Sequence, residues 1–378
     1  MNFALTDDQR MIRDAAEAFL AEASSSAAVR AAMGSAHGFD AALWQRIAGE
    51  MGWCGTHIAE AHGGLGLGLV ELALLQEQTG RRLACVPFFS SVCLAATALQ
   101  QAGSAAAQAQ WLPRLADGSL RASVALAARG VQWDADAVGA IARHTAEGWQ
   151  LDGRFEHVPD GASAQLLFVV ARVDGTAEIG LFAVAADATG VTRTPLQTWD
   201  ETRRLATLEL RGVRLQALDR VDDGEHTRDA LQRANALAAL LLAAEQLGGA
   251  QQCLDMTLDY AAQRTQFGQP IAAFQAVKHR CAEMMLRIEA TRSAVYGAAA
   301  LAAGTPATSE LLMEAGAAKA QASDAFFFCA QEAIQLHGGV GFTWEYDPHL
   351  YFKRAQAGGH WLGSATHWRE RIAAALLD

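Results

Sequence analysis

The character of the chain changes twice along its length, and that double switch limits its fold more than any other feature. Residues 1–118 read as helical. Residues 119–222 carry short apolar runs broken by Asp/Gly turns, and residues 223–378 read as helical again. In the middle segment, Gln165–Ala171 and Ile179–Val184 are strand-like runs. Ala206–Val213 alternates apolar and polar side chains, as one half-buried face of a sheet requires. Strands there do not alternate with helices of useful length, so no dinucleotide-binding βαβ unit is expected. The expectation is a small barrel or sandwich between two helical zones.

In the first zone Thr6 is a good N-cap, and Met11, Ala15, Ala18 and Phe19 form a stripe at helical spacing. Further helices are expected over about 40–51 and 69–81. Between them lies the glycine-rich stretch Gly63–Gly68. It lacks the Gly-Lys-Ser/Thr ending of a phosphate-binding loop, so a tight or flexible turn is the better reading. In the third zone a long helix is expected from about Thr227 to Gln263, stopped by Gly268 and Pro270. The next carries Phe274, Val277, Cys281, Met284, Met285 and Ile288 on one face. Another runs over about 309–336 and ends at Gly338-Gly339. Long helices joined by short loops point to a four-helix bundle, giving an α+β, mainly α, fold.

The chain of 378 residues has a formal charge of −11. That argues against nucleic acid or an anionic membrane as its main partner, since both attract a basic face. The six cysteines form no C-x-x-C pair and sit mostly in apolar helical stretches, where buried reduced thiols are expected. The N-terminus resembles neither a signal nor a transit peptide, and the apolar run Ala236–Ala244 is too short to span a bilayer. These features suggest a soluble, cytoplasmic protein.

Two blocks carry the chemistry. In Arg264-Thr-Gln-Phe-Gly-Gln-Pro the arginine can offer a planar fork to a pyrophosphate. A helix C-terminal cation facing the dipole is the simpler alternative. In Gln335-Leu-His-Gly-Gly-Val-Gly-Phe, Gly338 and Gly339 let backbone come close to a phosphate, and they equally suit a helix C-cap.

In order and at matching spacing, these blocks join Trp44–Trp53, Glu60–Gly66, Leu254–Gly268 and Phe274–His279. The whole chain thereby resembles the acyl-CoA dehydrogenase family. The resemblance implies FAD as cofactor, an acyl-CoA thioester as substrate and an electron-transfer flavoprotein as electron acceptor. It places Arg264, Phe267, Gln275, Gln335, Gly338 and Gly339 on the cofactor. It also implies at least a dimer, usually a dimer of dimers, with the arginine block gripping the flavin of a neighbouring subunit and the Gln-x-x-Gly-Gly block coming from the other side of that dimer.

The departures are as informative. The family's Thr-Glu-Pro-Gly-type loop is replaced by Ala125–Gly130, and its Trp-x-Thr-Asn-Gly strand end by His157–Gly161. An ungapped match from Tyr346 to Gly363 puts Leu362 where the family carries its catalytic glutamate. The minority position, early on the long helix, matches Ala238. A carboxylate is needed there to take the α-proton of the acyl thioester. Glu245, two helical turns after Ala238, is the available candidate, and pairing with a basic group is its alternative role. His367 is another titratable group near the C-terminus, in a cluster suited to an interface or cofactor edge.

Four functions fit these observations. They are a dehydrogenase with an unusual base, one subunit of a heteromeric dehydrogenase, a non-catalytic paralogue, and a related oxidase. Ala238 leaves room for bulky, branched or ring-bearing acyl groups.

Overall fold

A computed structural model of the chain describes residues 5–126, 137–224 and 226–377. Its α-helices are α1 (Asp7–Ala23), α2 (Ser26–Met33), α3 (Ala41–Gln45), α4 (Leu69–Arg81), α5 (Thr97–Ala102), α6 (Ala105–Ala116), α7 (Thr227–Gln263), α8 (Gln275–Ala303), α9 (Thr308–His337), α10 (Pro348–His360) and α11 (Ala365–Leu377). The strands are β1 (Ala122–Ala125), β2 (Ala140–Thr145), β3 (Gly148–Pro159), β4 (Leu166–Val173), β5 (Ile179–Ala185), β6 (Val191–Pro195), β7 (Leu205–Leu215), β8 (Thr265–Gln266) and β9 (Gln269–Pro270). These elements form two compact units. One comprises Met1–Ala31, Leu69–Ala84 and Ala239–Asp378, and the other Ala32–Gly68 and Cys85–Ala238.

The first unit is helical. Thr6 caps α1 through a reciprocal pair of bonds with Gln9, and Asp7 and Asp8 face the positive end of its dipole. The helix lies where the periodicity puts it, but its buried face is turned by one residue. Ala16 and Leu20 are buried, whereas Met11 is 64% exposed. The i, i+4 pair Ala16/Leu20 faces inward and α1 packs on α4, while Met11, Ala15 and Ala18 of the expected stripe are exposed and Phe19 is half-buried. In α8, Cys281, Met284 and Ile288 are buried as expected, while Met285 points outward. α9 packs on α8, α10 and α11. Gly316 on α9 makes room for the indole of Trp368, since a Cβ there would lie 2.5 Å from the ring.

α4 and α7 cross at glycines. A Cβ on Gly80 would lie 2.1 Å from the carbonyl oxygen of Glu245, and one on Gly248 would lie 1.8 Å from that of Glu77. The backbones therefore meet with no side chain between them. From Ala239 to Ala250, α7 is buried on every side. Glu245 and Gln246 are the two strongly polar residues in that stretch.

The second unit holds the β segment. Seven strands form one sheet in the order β1-β4-β2-β3-β7-β6, with β5 on β4. β4 runs parallel to β1 and β2 and antiparallel to β5. The sheet curls around its core. Trp149 on β3 and Phe182 on β5 meet edge to face at 5.4 Å, although β2 and β4 lie between their strands. Leu151, Phe155, Leu167, Val169 and Leu208 fill the concave side. The β3–β7 pairing is interrupted between Phe155 and Val158. His157 sits at that irregularity with a φ of 58°.

The Gly63–Gly68 stretch is a tight turn. The amides of Gly64, Leu65, Gly66 and Leu67 donate to backbone carbonyls of residues 55–59, so they are not offered to a phosphate. All six cysteines are buried. Among the described residues, no helix is long and apolar enough to cross a membrane.

Candidate functional site

The arginine block lies just past the end of α7. There β8 and β9 form a two-residue hairpin, closed by the bond from the Ile271 amide to the Arg264 carbonyl. Arg264 is exposed, and its guanidinium makes no hydrogen bond or ion pair with the other described residues. Phe267 sits at the hairpin tip with a φ of 52° and is 93% exposed. Its ring meets Phe274 edge to face at 6.2 Å. Phe274 is the N-cap residue of α8 and contributes no side-chain cap. The first amides of α8, beginning at Gln275, therefore remain available as donors beside the positive end of the helix dipole.

The second block lies at the end of α9. Gln335, Gly338 and Gly339 are exposed. Gly338 has a φ of 65°, and a Cβ on either glycine would meet nothing within 4 Å. The two glycines thus face open space, which suits backbone approach to a ligand.

An aromatic stack brings the blocks together. Tyr260, one turn before Arg264, stacks on His337 at 4.4 Å, and Tyr346 closes edge-on against Tyr260 at 6.0 Å. His337 Nδ1 lies 2.7 Å from the Ala333 carbonyl, and burial lowers its pKa. Both blocks therefore sit at the same end of one chain's helical unit. The resemblance had put them on opposite sides of a dimer. This edge fits the anionic, planar part of a flavin dinucleotide. It combines an uncommitted guanidinium, open helix amides, an exposed ring and two glycines.

The other expected positions lie elsewhere. Ala238 is a buried residue of α7. Glu245 is buried and already engaged: Arg354 Nη1 donates to Oε1 at 2.9 Å, and Gln76 Nε2 donates to Oε2 at 2.6 Å. Leu362 is buried in the link between α10 and α11, with a φ of 55°. His367 packs edge-on against Trp368 at 5.5 Å.

On the β side the Thr-Asn hydroxyl and amide pattern is absent. Pro159 has no amide hydrogen, and its carbonyl accepts from Ser123 Oγ at 2.5 Å. The Asp160 carboxylate accepts from Ser90 Oγ at 2.6 Å. Of the Ala125–Gly130 loop, residues 127–130 lie outside the described residues.

The C-terminal portion, residues 228–377, matches the family model described as the acyl-CoA dehydrogenase C-terminal domain. Residues 6–119 match the one described as the N-terminal domain. Over 374 residues, 98% of each chain, the sequence is 35% identical to acyl-CoA dehydrogenase IpdE2 of Mycobacterium tuberculosis. The chain belongs to the acyl-CoA dehydrogenase family. Among solved family members it resembles the ChsE4-ChsE5 complex from Mycobacterium tuberculosis. The TM-score is 0.90 and the identity 29%, covering 100% of this chain and 99% of that one. It also resembles a variant of the Tcur3481-Tcur3483 steroid ACAD, with a TM-score of 0.87 and 32% identity over 98% of both chains.

Two features of this family member escaped the sequence reading. Arg354 is the partner of Glu245, yet 109 residues separate them, so no local pattern links the two. Lys319 is fully buried on α9. A lone lysine in the small-residue run Ala315–Ala320 was a legible signal of a buried role.

Proposed function

We propose that this chain is the flavin-holding subunit of a heteromeric acyl-CoA dehydrogenase. The observation that carries the reading is a contrast within one chain. The edge carrying Arg264, Phe267, Gly338 and Gly339 is open, while a leucine occupies the position that matches the family's base. Arg264 would take the pyrophosphate as a bidentate partner. The first amides of α8 and the Gly338-Gly339 backbone would complete the anion's shell. Gln335 and Gln275 would meet polar edges of the nucleotide, and Phe267 would cover a face of it. Bound there, FAD would accept the hydride that leaves the β-carbon of an acyl thioester.

The α-proton must leave at the same time, and a leucine side chain cannot accept it. The carboxylate that takes it then belongs to the paired subunit. Glu245 serves as the internal partner of Arg354 rather than as a base, because both its oxygens are occupied in the helical core. The likeness to the ChsE4-ChsE5 complex and to a steroid ACAD named for two chains supports a two-chain assembly. It also supports a ring-bearing acyl group, for which Ala238 leaves room. The electrons would pass on to an electron-transfer flavoprotein.

Purification alone and with an adjacent family paralogue, followed by flavin stoichiometry, tests the reading. Full flavin content is expected only in the co-purified complex, and Arg264→Gln should lower retention roughly 10–100-fold. A lone chain that is fully flavinated and bleached by acyl-CoA would refute the proposal. In the complex, with the partner's base removed, Leu362→Glu should restore anaerobic bleaching by about 10²–10⁴-fold, the usual contribution of a positioned base.

A further inference from the structure

The link between α10 and α11 holds two successive residues in the left-handed region, Leu362 at a φ of 55° and Gly363 at 102°. Glycine adopts that conformation freely, but leucine is strained in it. Such strain persists only where surrounding contacts over-determine the backbone. Here two side chains pin consecutive carbonyls. Trp368 Nε1 donates to the Leu362 carbonyl at 3.1 Å, and Lys319 Nζ reaches the Gly363 carbonyl at 3.4 Å. The same amine has the carbonyls of Gly358 at 3.1 Å and Gly359 at 3.4 Å, and Ser323 Oγ at 2.8 Å, within reach of its N–H groups. The last carbonyls of a helix lack intrahelical partners, and an amine can supply the missing donors. Lys319 therefore closes the end of α10 and ties it across to the start of α11.

Gly363 cannot be exchanged for a larger residue, since a Cβ there would lie 2.7 Å from His367 and from Trp368.

We propose that Lys319 is a positioning residue, whose amine latches the strained Trp361–Ser364 link and so fixes the direction of the side chain at position 362. Only the meaning of position 362, as the acyl-facing place of the family's base, rests on the function proposed above. The latch itself does not.

The charges around Lys319 are otherwise engaged. Glu245 on α7 is held by Arg354 on α10, and Asp324 on α9 is paired with Arg369 on α11. His360, the last residue of α10, and His367 on α11 flank the link. Burial lowers the Lys319 pKa to about 7. Opening the link to water would return the amine toward the ordinary lysine range of about 10.4. The open form therefore binds the extra proton between these values, and by linkage the closed form gains stability as pH rises through that window. Acid loosens the latch, and mild alkali tightens it.

Hydrogen–deuterium exchange on the full-length chain tests this, read as protection of residues 358–368 after correction for intrinsic exchange rates. Between about pH 7 and pH 9, wild-type protection should rise roughly tenfold per pH unit. Lys319→Met should abolish that dependence. Trp368→Phe removes the other pin and should lower protection while keeping the slope, so it remains informative if the methionine variant fails to fold. A flat wild-type profile, or an unchanged slope in Lys319→Met, would overturn the proposal. Neither flavin nor acyl-CoA is needed for this readout. If the slope is present but Leu362→Glu gains no flavin bleaching, the latch stands and the acyl-facing assignment of position 362 falls.

Discussion

Substituting glutamine for Glu245 is expected to lower folding stability by about 3–5 kcal/mol, because it leaves the Arg354 guanidinium buried without a counter-charge. The pair is nearly solvent-free, with side-chain exposures of 5% for Arg354 and 4% for Glu245. A surface pair would contribute roughly 0–1 kcal/mol, so burial decides the size of the effect. Replacing both residues with apolar ones, Glu245→Leu with Arg354→Met, should recover most of the loss, since a well-packed apolar pair needs no charge compensation. Denaturant titration of the two singles and the double measures the coupling directly. A single-variant loss below about 1 kcal/mol would mean that the two side chains do not share the core in solution. The experiment also separates two roles for Glu245. A base would change flavin reduction without changing stability, whereas an internal counter-ion does the reverse.

Gly248→Ala is the second substitution with a large expected effect. The added methyl would sit 1.8 Å from the Glu77 carbonyl oxygen, far inside contact distance. The chain cannot relieve this cheaply. The Glu77 side chain is held by Arg292 at 2.8 Å and by the Tyr296 hydroxyl at 2.7 Å, which ties α4 to α8. Overpacking of this kind costs about 1–3 kcal/mol and sometimes more, and the upper end is expected here because the obstacle is backbone. Gly339→Ala provides the contrast. Its Cβ would enter open space, so stability should change by less than about 0.5 kcal/mol, and any loss should appear in flavin retention. Thermal unfolding of the two variants side by side checks the prediction. Equal melting temperatures would show that the α4–α7 crossing is looser than described.

Much of the fold was legible because its signals are local. α4 ends at Arg81 and α7 at Gln263, where periodicity and the following Gly268 and Pro270 put them. α9 ends at His337, before the glycine pair. What failed was orientation. Alanine-rich α1 offers weak contrast between its faces, so Met11 was placed inward when the Ala16/Leu20 face does the packing. The candidate site divides in the same way. Motifs nominate Arg264, Phe267, Gly338 and Gly339, but their assembly at one end depends on the stack of Tyr260 on His337, a contact no local pattern announces. The engagement of Glu245 was equally hidden, since an acid in an apolar helix looks the same whether it is reactive or paired.

The uncovered rings have a consequence for the cell. Phe267 is 93% exposed, and Phe342 and Trp344 are 70% and 58% exposed in the same helical unit. Large apolar groups left in water invite non-specific association. On the two-chain proposal, a chain made in excess of its companion would be a client for chaperones and proteases, so its abundance would follow the companion's rather than its own rate of synthesis. Selection would then act on the matched dosage of two products as well as on either sequence.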